Sequence, residues 1–455
     1  MRRLAKTARR FGTAGLALAA AVSTSVAPAS AEDAPPAGDA APALSQPLGA
    51  WHELDAWLKT RGVTVGVAVT ADLLANVSGG EKRGATGEAL GELEVDFDLG
   101  RIVGWKGATV HASGYWLVGE GLSSCCVDNL LTISNIEASS GVRLNEVYLE
   151  QTFAQDAISI RIGQIAADTE FWLSDTAGAF INSTFGWPGI NGVDLPGGGP
   201  AYPVPTPGVR MRWTTGGFTL LGALYNGDPT AGPDDDRYGL AFDLDDGVFA
   251  IVEAAYAHQP KNGLSGTFKV GAWYNSNDFD NLVLAANGEP LSTRRPGQLP
   301  RQERGDLSFY AIVDHELYRE AGKDGEGLSG FARIAVNPQQ DRNPVWLYFD
   351  TGLAYTGLLP GRESDIFGIA FAYAGMSPDL ARADRYANRV SGTDGAVADF
   401  EAVIEVTYQA AITSDFTLQP FGQIVIHPGG SSGGAGTDAA LRNAVVFGLR
   451  SAIRF

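Results

Sequence analysis

The sequence predicts an all-β protein, and more narrowly a transmembrane antiparallel up-and-down β-barrel of about sixteen strands with a long inward-folded loop. Segments in which apolar and polar residues alternate recur from residue 63 to residue 455, a pattern typical of strands. No long helical pattern follows Thr60. Glycine is abundant, at 58 residues, as in chains with many strand turns. These observations favour one large domain over several small ones.

Residues 1–31 have the pattern of a secretory signal peptide. A basic region precedes an apolar segment over residues 12–26, and Ala29, Ser30 and Ala31 form the small-residue cleavage pattern. We therefore expect cleavage after Ala31 and export of the mature chain. The basic residues are Arg2, Arg3, Lys6, Arg9 and Arg10.

The mature chain is strongly acidic. Without the basic residues of the signal peptide it keeps 28 of its 33 Lys and Arg residues against 52 Asp and Glu, a formal net charge of −24. Such a charge argues against nucleic acid as a partner. Beyond the signal peptide, no apolar run reaches the length of about 18 residues that a membrane-spanning helix needs. If the exported chain crosses a membrane, we expect it to do so as a β-barrel.

Two short segments separate the signal peptide from the first strand. Residues 32–47 are rich in Pro and Ala and too poor in large apolar residues to fold, which predicts a tether. Residues 48–60 have apolar residues at helical spacing, which predicts a short amphipathic helix on the periplasmic side. We expect residues 61–455 to form an outer-membrane β-barrel. The apolar residues of the helix are Leu48, Trp51, Leu54 and Leu58.

The alternating segments are arranged as about sixteen strands. Connections after odd-numbered strands are mostly long and those after even-numbered strands mostly short, as in barrels with long outer loops and short periplasmic turns. Residues 237–245 also alternate, but an odd strand number would put the termini on opposite sides of the membrane. We therefore assign them to an outer loop that extends the barrel wall. The strands are predicted near residues 63–70, 88–98, 107–117, 142–153, 156–165, 207–216, 217–226, 247–258, 266–275, 306–316, 327–336, 345–357, 364–374, 399–411, 415–427 and 444–455.

Charges on two strands indicate which face lines the lumen. The last strand places Arg450 and Arg454 opposite an apolar face, and an arginine turned toward lipid costs roughly 2–4 kcal/mol at the membrane midplane. Arg450 therefore fixes the lumenal face. The second strand has an acidic face, which looks into water in a soluble sandwich or into the channel in a barrel. Its acidic residues are Glu92, Glu94, Asp96 and Asp98.

The longest irregular stretch lies between two strands that carry arginine on their polar faces. Arg161 belongs to the strand before it, and Arg210 and Arg212 belong to the strand after it. Between them lie about forty residues without sustained periodicity, and loops of that length tend to be functional. We expect this loop to fold into the lumen, because a barrel of about sixteen strands otherwise leaves an open aqueous channel.

Several blocks of sequence occur in a characteristic order. They are SNIEA at 134–138, RLNEVYLEQ at 143–151, RIGQIAADTEFWLSDTAGAFINSTFGWP at 161–188, YPVPTPGVRMRW at 202–213, GLLPGRESDIFGIAFAYAGMS at 357–377, QPFGQIVIHPGG at 419–430 and the final strand. In these blocks the sequence resembles the OprB-type carbohydrate-selective porins of Gram-negative bacteria, and the resemblance extends over nearly the whole mature chain. The resemblance implies an outer-membrane barrel through which monosaccharides, glucose above all, diffuse down their gradient.

The long loop and its flanking strands supply the residue types that a sugar requires. Sugar hydroxyls pair with charged donors and acceptors, and the C–H-rich ring face packs on aromatic rings. Glu146 and Glu150, with Tyr148 between them, point inward on the fourth strand and are placed to face the arginines. The candidate donors are Arg161, Arg210 and Arg212, and the candidate acceptors are Asp168, Glu170 and Asp175. The candidate aromatic platforms are Phe171, Trp172, Phe185 and Trp187.

Each candidate also has a structural alternative. The inward arginines could only neutralise lumenal carboxylates and hold the loop, and Trp172 and Trp187 could form the packing core of the loop itself. Trp213 lies on the lipid face and is better explained as an interfacial aromatic residue. An acidic run in an outer loop could bind a divalent ion or could be a solvated loop tip. That run is Asp234, Asp235 and Asp236.

No sequence pattern indicates catalysis, a metal site or a cofactor. The five histidines are scattered, and no nucleophile, phosphate-binding or zinc-protease motif appears. The adjacent Cys125 and Cys126 have no His or further Cys at ligand spacing, and whether they form a vicinal disulfide stays open. We therefore predict that the protein is not an enzyme and binds no metal and no cofactor.

Three functional hypotheses remain. The first is a passive carbohydrate-selective porin of the bacterial outer membrane, with small sugars and membrane lipid as its partners, acting as a monomer or as a homo-oligomer such as a trimer. The second is a general or cation-preferring diffusion porin, suggested by the acidic face of the second strand. The third is an outer-membrane barrel that serves as the scaffold of an enzyme or adhesin.

Overall fold

The structure is a computed structural model that describes residues 45–230, 238–260, 263–291, 298–323, 325–431 and 439–455, with side chains from residue 53 onward. The chain divides into two compact units, residues 1–50 and 51–455. Only the start of a helix in the first unit falls within the described residues. The predicted signal peptide, most of the predicted tether, and Asp234, Asp235 and Asp236 lie outside them.

Within the described ranges, sixteen antiparallel strands form a closed barrel, which confirms the predicted fold class. Each strand pairs with its neighbours in sequence, and the last strand returns to pair with the first. All of the predicted strand positions contain a strand. The strands are β1 (Val63–Gly80), β2 (Gly84–Asp98), β3 (Ala108–Gly119), β4 (Gly141–Phe153), β5 (Ile158–Ile165), β6 (Thr206–Thr215), β7 (Phe218–Asn226), β8 (Val248–His258), β9 (Gly266–Ala285), β10 (Pro300–Arg319), β11 (Gly327–Val336), β12 (Val345–Thr356), β13 (Ile366–Met376), β14 (Phe400–Ala411), β15 (Phe416–Ile426) and β16 (Arg442–Arg454).

Three strands extend far beyond the ranges that their alternation predicts. β1 has 18 residues, and β9 and β10 have 20 residues each. The additional residues of β9, which include the sequence SNDFDN at residues 276–281, pair with additional residues at the start of β10 beyond the predicted ranges. Strands that project beyond the apolar layer have water or loops on both faces, so they need no alternation of apolar and polar residues.

Helical segments are short. Within the described ranges they are α1 (Ser45–Thr60), α2 (Leu99–Val103), α3 (Gly189–Asp194), α4 (Pro378–Ser391), a π-helical turn (Ser123–Val127) and 3-10 turns at Ala177–Ala179, Ser183–Phe185, Pro196–Gly198 and Pro428–Ser431. Helix α1 begins three residues before its predicted start at residue 48. Among the described residues, no helix combines the length and apolar character needed to cross a membrane. Cys125 and Cys126 form a vicinal disulfide inside the π-helical turn.

The strand register separates an apolar outer face from a polar lumen. Asp72 of β1 lies opposite Arg450 of β16, and both side chains point inward. Their neighbours Leu73 and Leu449 form the next pair and are exposed on the outer face. Arg450 therefore faces the lumen, as predicted.

Residues 238–245 contain no strand, in agreement with their assignment to an outer loop. This loop nevertheless contacts the barrel wall, because the N–H of Leu144 on β4 donates to the carbonyl of Tyr238 at 2.8 Å. Pairing of β4 with β5 begins only at Val147, so the upper part of β4 has no β5 residue beside it. The outer loop occupies this position and extends the wall there.

Candidate functional site

The loop that joins β5 and β6, residues 166–205, lies inside the barrel. The N–H groups of Ile181 and Asn182 donate to Glu405 of β14 at 2.7 and 2.9 Å. The N–H of Thr176 donates to Asp314 of β10 at 2.9 Å. Because these carboxylates project from distant strands, the loop crosses the lumen and is bonded to the opposite wall.

The barrel wall leaves room for this loop. On β13 the residues of the inward face are small, and Ala370, Ala372 and Ala374 are fully buried. On β12, a Cβ added at Gly352 would lie 2.6 Å from the ring of Phe331. Two phenylalanines of the loop, Phe180 and Phe185, pack on that ring with centroid distances of 6.1 Å each. Small wall residues therefore create the space that the aromatic core of the loop fills.

Arg333 of β11 is a buried anchor of the loop. Its Nε donates to both carboxylate oxygens of Asp350 on β12, at 3.0 and 3.1 Å, and neither side chain is exposed. Its other N–H groups donate to the carbonyls of Trp172, Thr184 and Gly186 at 3.1, 2.8 and 3.1 Å. One buried guanidinium therefore holds two separate turns of the loop.

The connection between β3 and β4, residues 120–140, also folds inward, which the sequence analysis did not predict. The N–H of Leu131 donates to Glu401 of β14 at 2.7 Å, and the hydroxyl of Ser134 donates to Asp72 at 2.7 Å. The mostly apolar sequence LLTI at 130–133 could have indicated that this connection is buried, because connecting loops usually run over the surface in contact with water.

The predicted charged residues meet where the β5–β6 loop leaves the wall. Arg161 lies 3.0 Å from Glu150 and 3.0 Å from Glu170. Arg210 lies 3.2 Å from Glu150 and 2.6 Å from Glu170. The strand register brings Glu150, Arg161 and Arg210 to one height on β4, β5 and β6. These four side chains form an ion network that ties the loop to the wall, and we refer to them as the anchor network.

The three predicted arginines differ in the exposure of their side chains. The side chain of Arg210 is fully buried, and that of Arg161 is mostly buried, with its guanidinium 3.9 Å above the ring of Tyr148. Gly163, which lies opposite Tyr148 on β5, makes this packing possible, because an added Cβ there would lie 2.8 Å from the Cβ of Tyr148. Arg212 is 42% exposed and lies 3.8 Å from Glu150. Arg212 is therefore the most exposed of the three, and it borders the cavity described below together with the less exposed Arg161.

The remaining predicted carboxylates have different surroundings. Glu146 accepts the N–H of Ala166 at 2.8 Å, and Asp168 accepts the N–H of Tyr202 at 3.0 Å. The second carboxyl oxygen of Asp168 is buried without a hydrogen-bond partner. Burial raises the pKa of the Asp168 carboxyl to about 6, and the hydrogen bond from Tyr202 offsets only part of this effect. Asp175 is exposed and faces a cavity in the lumen.

The predicted aromatic residues lie inside the loop packing. Phe171, Trp172 and Phe185 are buried, and Trp172 stacks on Tyr310 of β10 with a centroid distance of 3.7 Å. Trp187 is partly buried and donates its Nε1–H to the carbonyl of Gly198 at 2.9 Å. This arrangement matches the alternative in which Trp172 and Trp187 form the packing core of the loop.

A polar cavity lies between the anchor network and the wall formed by β2 to β9. Its lining includes Arg212, Glu94, His111 and Lys269. Lys269 of β9 lies 3.5 Å from Glu253 of β8. Neither Lys269 nor Glu253 is among the predicted site residues, although each is a lone charge on the inward face of an otherwise apolar or small-residue strand. Such an isolated charge on an inward face could have identified both residues from the sequence.

The acidic face of β2 borders the same cavity. Its residue Asp96 lies 2.9 Å from Nδ1 of His111 on β3, and the His111 ring stacks on Tyr148 with a centroid distance of 4.7 Å. The guanidinium of Arg161 packs on the ring of the same Tyr148. Side chains of β2, β3, β4 and β5 therefore form one continuous polar wall at the height of the anchor network.

Comparison with known proteins agrees with this architecture. The family described as "Carbohydrate-selective porin, OprB family" matches residues 82–455. A relative described as "Putative porin QuiX", from Acinetobacter baylyi, is 22% identical over 351 residues, which cover 71% of this chain and 73% of the relative.

Two solved structures of OprB from Pseudomonas putida have a similar fold. The structure at high pH has a TM-score of 0.79 at 20% identity and covers 89% of this chain and 97% of its own. The structure at low pH has a TM-score of 0.53 at 15% identity and covers 90% of this chain and 97% of its own.

Proposed function

Because this chain belongs to the OprB family of carbohydrate-selective porins, we propose that it is a passive channel for monosaccharides such as glucose, selective where the β5–β6 loop narrows the lumen. The family and the barrel fold indicate a channel in the outer membrane of a Gram-negative bacterium rather than an enzyme.

The observation that carries the proposal is the contrast between the anchor network and the cavity beside it. In the anchor network, the arginines and carboxylates satisfy one another and hold the loop. In the cavity, Arg212, Lys269 and Glu94 present donors and acceptors to the lumen. A solute with many hydroxyl groups can bond to both kinds of group at once, whereas a simple ion can bond to only one.

The required affinity is modest. Facilitated diffusion needs binding that favours entry and still permits release, which corresponds to a dissociation constant near 1 mM, or about −4 kcal/mol. Hydrogen bonds to charged groups contribute about 1.5–3 kcal/mol each. A few of them, less the cost of immobilising the sugar, supply this affinity. Arg212 and Asp175 are exposed, so we assign solute contact to them. The paired residues Arg161, Arg210, Glu150 and Glu170 are assigned a positioning role.

Reconstitution into planar lipid bilayers tests this function. We expect stepwise ion conductance that glucose reduces in a saturable manner at millimolar concentration. Conductance without sugar block would remove the carbohydrate-selective function and leave a general porin. Absence of any conductance step would favour the scaffold hypothesis, in which the barrel carries an enzyme or adhesin.

One observation favours cation preference as a second property. Glu94 borders the cavity, and the register turns the acidic residues of β2 to the same inward face. Carboxylates clustered along a channel wall attract cations and raise their local concentration. The reversal potential across a bilayer with a salt gradient distinguishes a cation-preferring pore from an unselective one.

A further inference from the structure

Leu173 stands out as an apolar side chain in a lumen lined by charges. It is 42% exposed, although its neighbours Phe171 and Trp172 are completely buried. It borders the cavity that contains Arg212 and Lys269, and it also borders a second polar cavity that contains Asp175 and Asp314. Leu173, Thr267 and Lys269 belong to both cavities. Leu173 therefore lies on the lumenal edge of the loop, where the two spaces meet.

The loop backbone is held on the N-terminal side of Leu173. Trp172 donates its N–H to Glu253 at 3.1 Å, and its carbonyl accepts an N–H of Arg333 at 3.1 Å. The same oxygen of Glu253 accepts the hydroxyl of Tyr310 at 2.9 Å, and the Tyr310 ring stacks on Trp172. Trp172 has a φ of +65°, a left-handed conformation that non-glycine residues rarely adopt. The barrel wall thus fixes a turn that directs the following residue away from the packing core.

The loop backbone is also held on the C-terminal side of Leu173. The hydroxyl of Thr176 donates to Asp314 at 2.6 Å, its N–H donates to the same carboxylate at 2.9 Å, and Ser174 donates its hydroxyl there as well. Leu173 is thus presented to water between two anchored segments.

From this geometry we infer that Leu173 is a specificity-determining residue that contacts the apolar ring face of a cyclic sugar while the charged groups of the cavity bond its hydroxyls. The inference rests on the proposed function and deepens it, because it restricts the preferred solutes to rings with a C–H face. Leu173 supplies the apolar surface that the buried rings of Trp172 and Phe185 do not. Lys269, which borders both cavities with Leu173, supplies donors nearby.

The test compares glucose with sorbitol, an open-chain polyol of similar size and hydroxyl content that has no rigid ring face. Block of ion current by each solute is measured in planar bilayers for the wild-type protein, Leu173→Asn and Leu173→Met. Asparagine keeps the approximate size of leucine and removes the apolar surface, whereas methionine keeps the apolar surface. Single-channel conductance and heat-modifiable gel migration report whether the pore and the fold are retained.

We expect glucose to block the wild type more strongly than sorbitol does. Leu173→Asn should weaken block by glucose about threefold to tenfold, leave block by sorbitol and conductance unchanged, and remove the preference. Leu173→Met should behave as the wild type. Equal changes for both solutes, or no change for glucose in Leu173→Asn, would overturn the inference while leaving the proposed function intact. Conductance of the wild type without block by either solute would overturn the proposed function and the inference together.

Discussion

Arg450 of the last strand and Asp72 of the first strand form a two-point ion pair across the closure of the barrel. The distances are 2.8 Å from Nε to Oδ1 and 2.7 Å from Nη2 to Oδ2. The Asp72 side chain is fully buried, and the hydroxyl of Ser134 also donates to it. The pair thus joins both ends of the barrel to the β3–β4 loop inside it.

Removing one partner of this pair should cost more than removing both charges. Arg450→Met leaves an unpaired buried carboxylate, and losses of this kind destabilise proteins by about 3–5 kcal/mol. Adding Asp72→Asn removes the unpaired charge and should restore most of the stability. The temperature at which heat-modifiable gel migration is lost measures the effect. A double variant as unstable as Arg450→Met would mean that the carboxylate is not the source of the loss.

Arg333 should be essential for holding the loop in the lumen. Arg333→Met leaves Asp350 buried without its charged partner and removes the hydrogen bonds to three loop carbonyls. We expect a loss of about 3–5 kcal/mol in stability and larger, noisier conductance steps in planar bilayers. Arg382 of α4 is a matched control, because it is 63% exposed and its pairing with Asp379 is a surface contact. Arg382→Met should change neither property, and equal effects of the two substitutions would contradict the anchor role.

Arg210 and Arg212 should separate positioning from solute contact. Both lie on the inward face of β6, but Arg210 is buried in the anchor network and Arg212 is exposed to the cavity. Arg212→Gln should weaken block of ion current by glucose several-fold without changing thermal stability. Arg210→Gln should lower thermal stability and increase conductance, because Glu150 and Glu170 lose a shared partner. Unchanged glucose block in Arg212→Gln would exclude this arginine from the solute path.

Asp168 should make stability depend on pH in a defined direction. Burial raises the pKa of its carboxyl from 3.8 in the unfolded chain to about 6 in the folded protein. Its favourable contribution is therefore complete below pH 3.8 and is lost as the pH rises through 6. Asp168→Asn keeps an acceptor for Tyr202 without a charge, so the variant should gain stability relative to the wild type at pH 8 but not at pH 4. Because the residue is partly exposed, we expect a difference of about 1–2 kcal/mol between these pH values. A difference independent of pH would show that Asp168 does not titrate in this range.

The barrel could be predicted from the sequence because its two faces meet different surroundings. Alternation fails where that difference ends, as at the paired extensions of β9 and β10. Arg450 indicated the lumenal face correctly because an arginine on the lipid face is costly.

The interior of the barrel was less accessible to sequence reasoning. Arg161, Arg210, Glu150 and Glu170 could be selected because neighbouring strands or the adjacent loop carry them. Arg333 could not be assigned a role, because its hydrogen bonds to the loop join residues more than 140 positions apart. Local pattern also does not reveal whether a loop tryptophan faces water or the barrel wall. Trp172 is therefore buried where a platform was predicted, and Leu173 occupies the lumenal position.

Liposome swelling with a panel of solutes tests the central proposal most directly. Proteoliposomes that contain the wild-type protein are diluted into isotonic solutions of hexoses, hexitols and neutral amino acids, and the initial swelling rates are compared. A carbohydrate-selective channel should admit hexoses faster than amino acids of equal or smaller size. Swelling rates that follow solute size alone would contradict selectivity and establish a general diffusion pore.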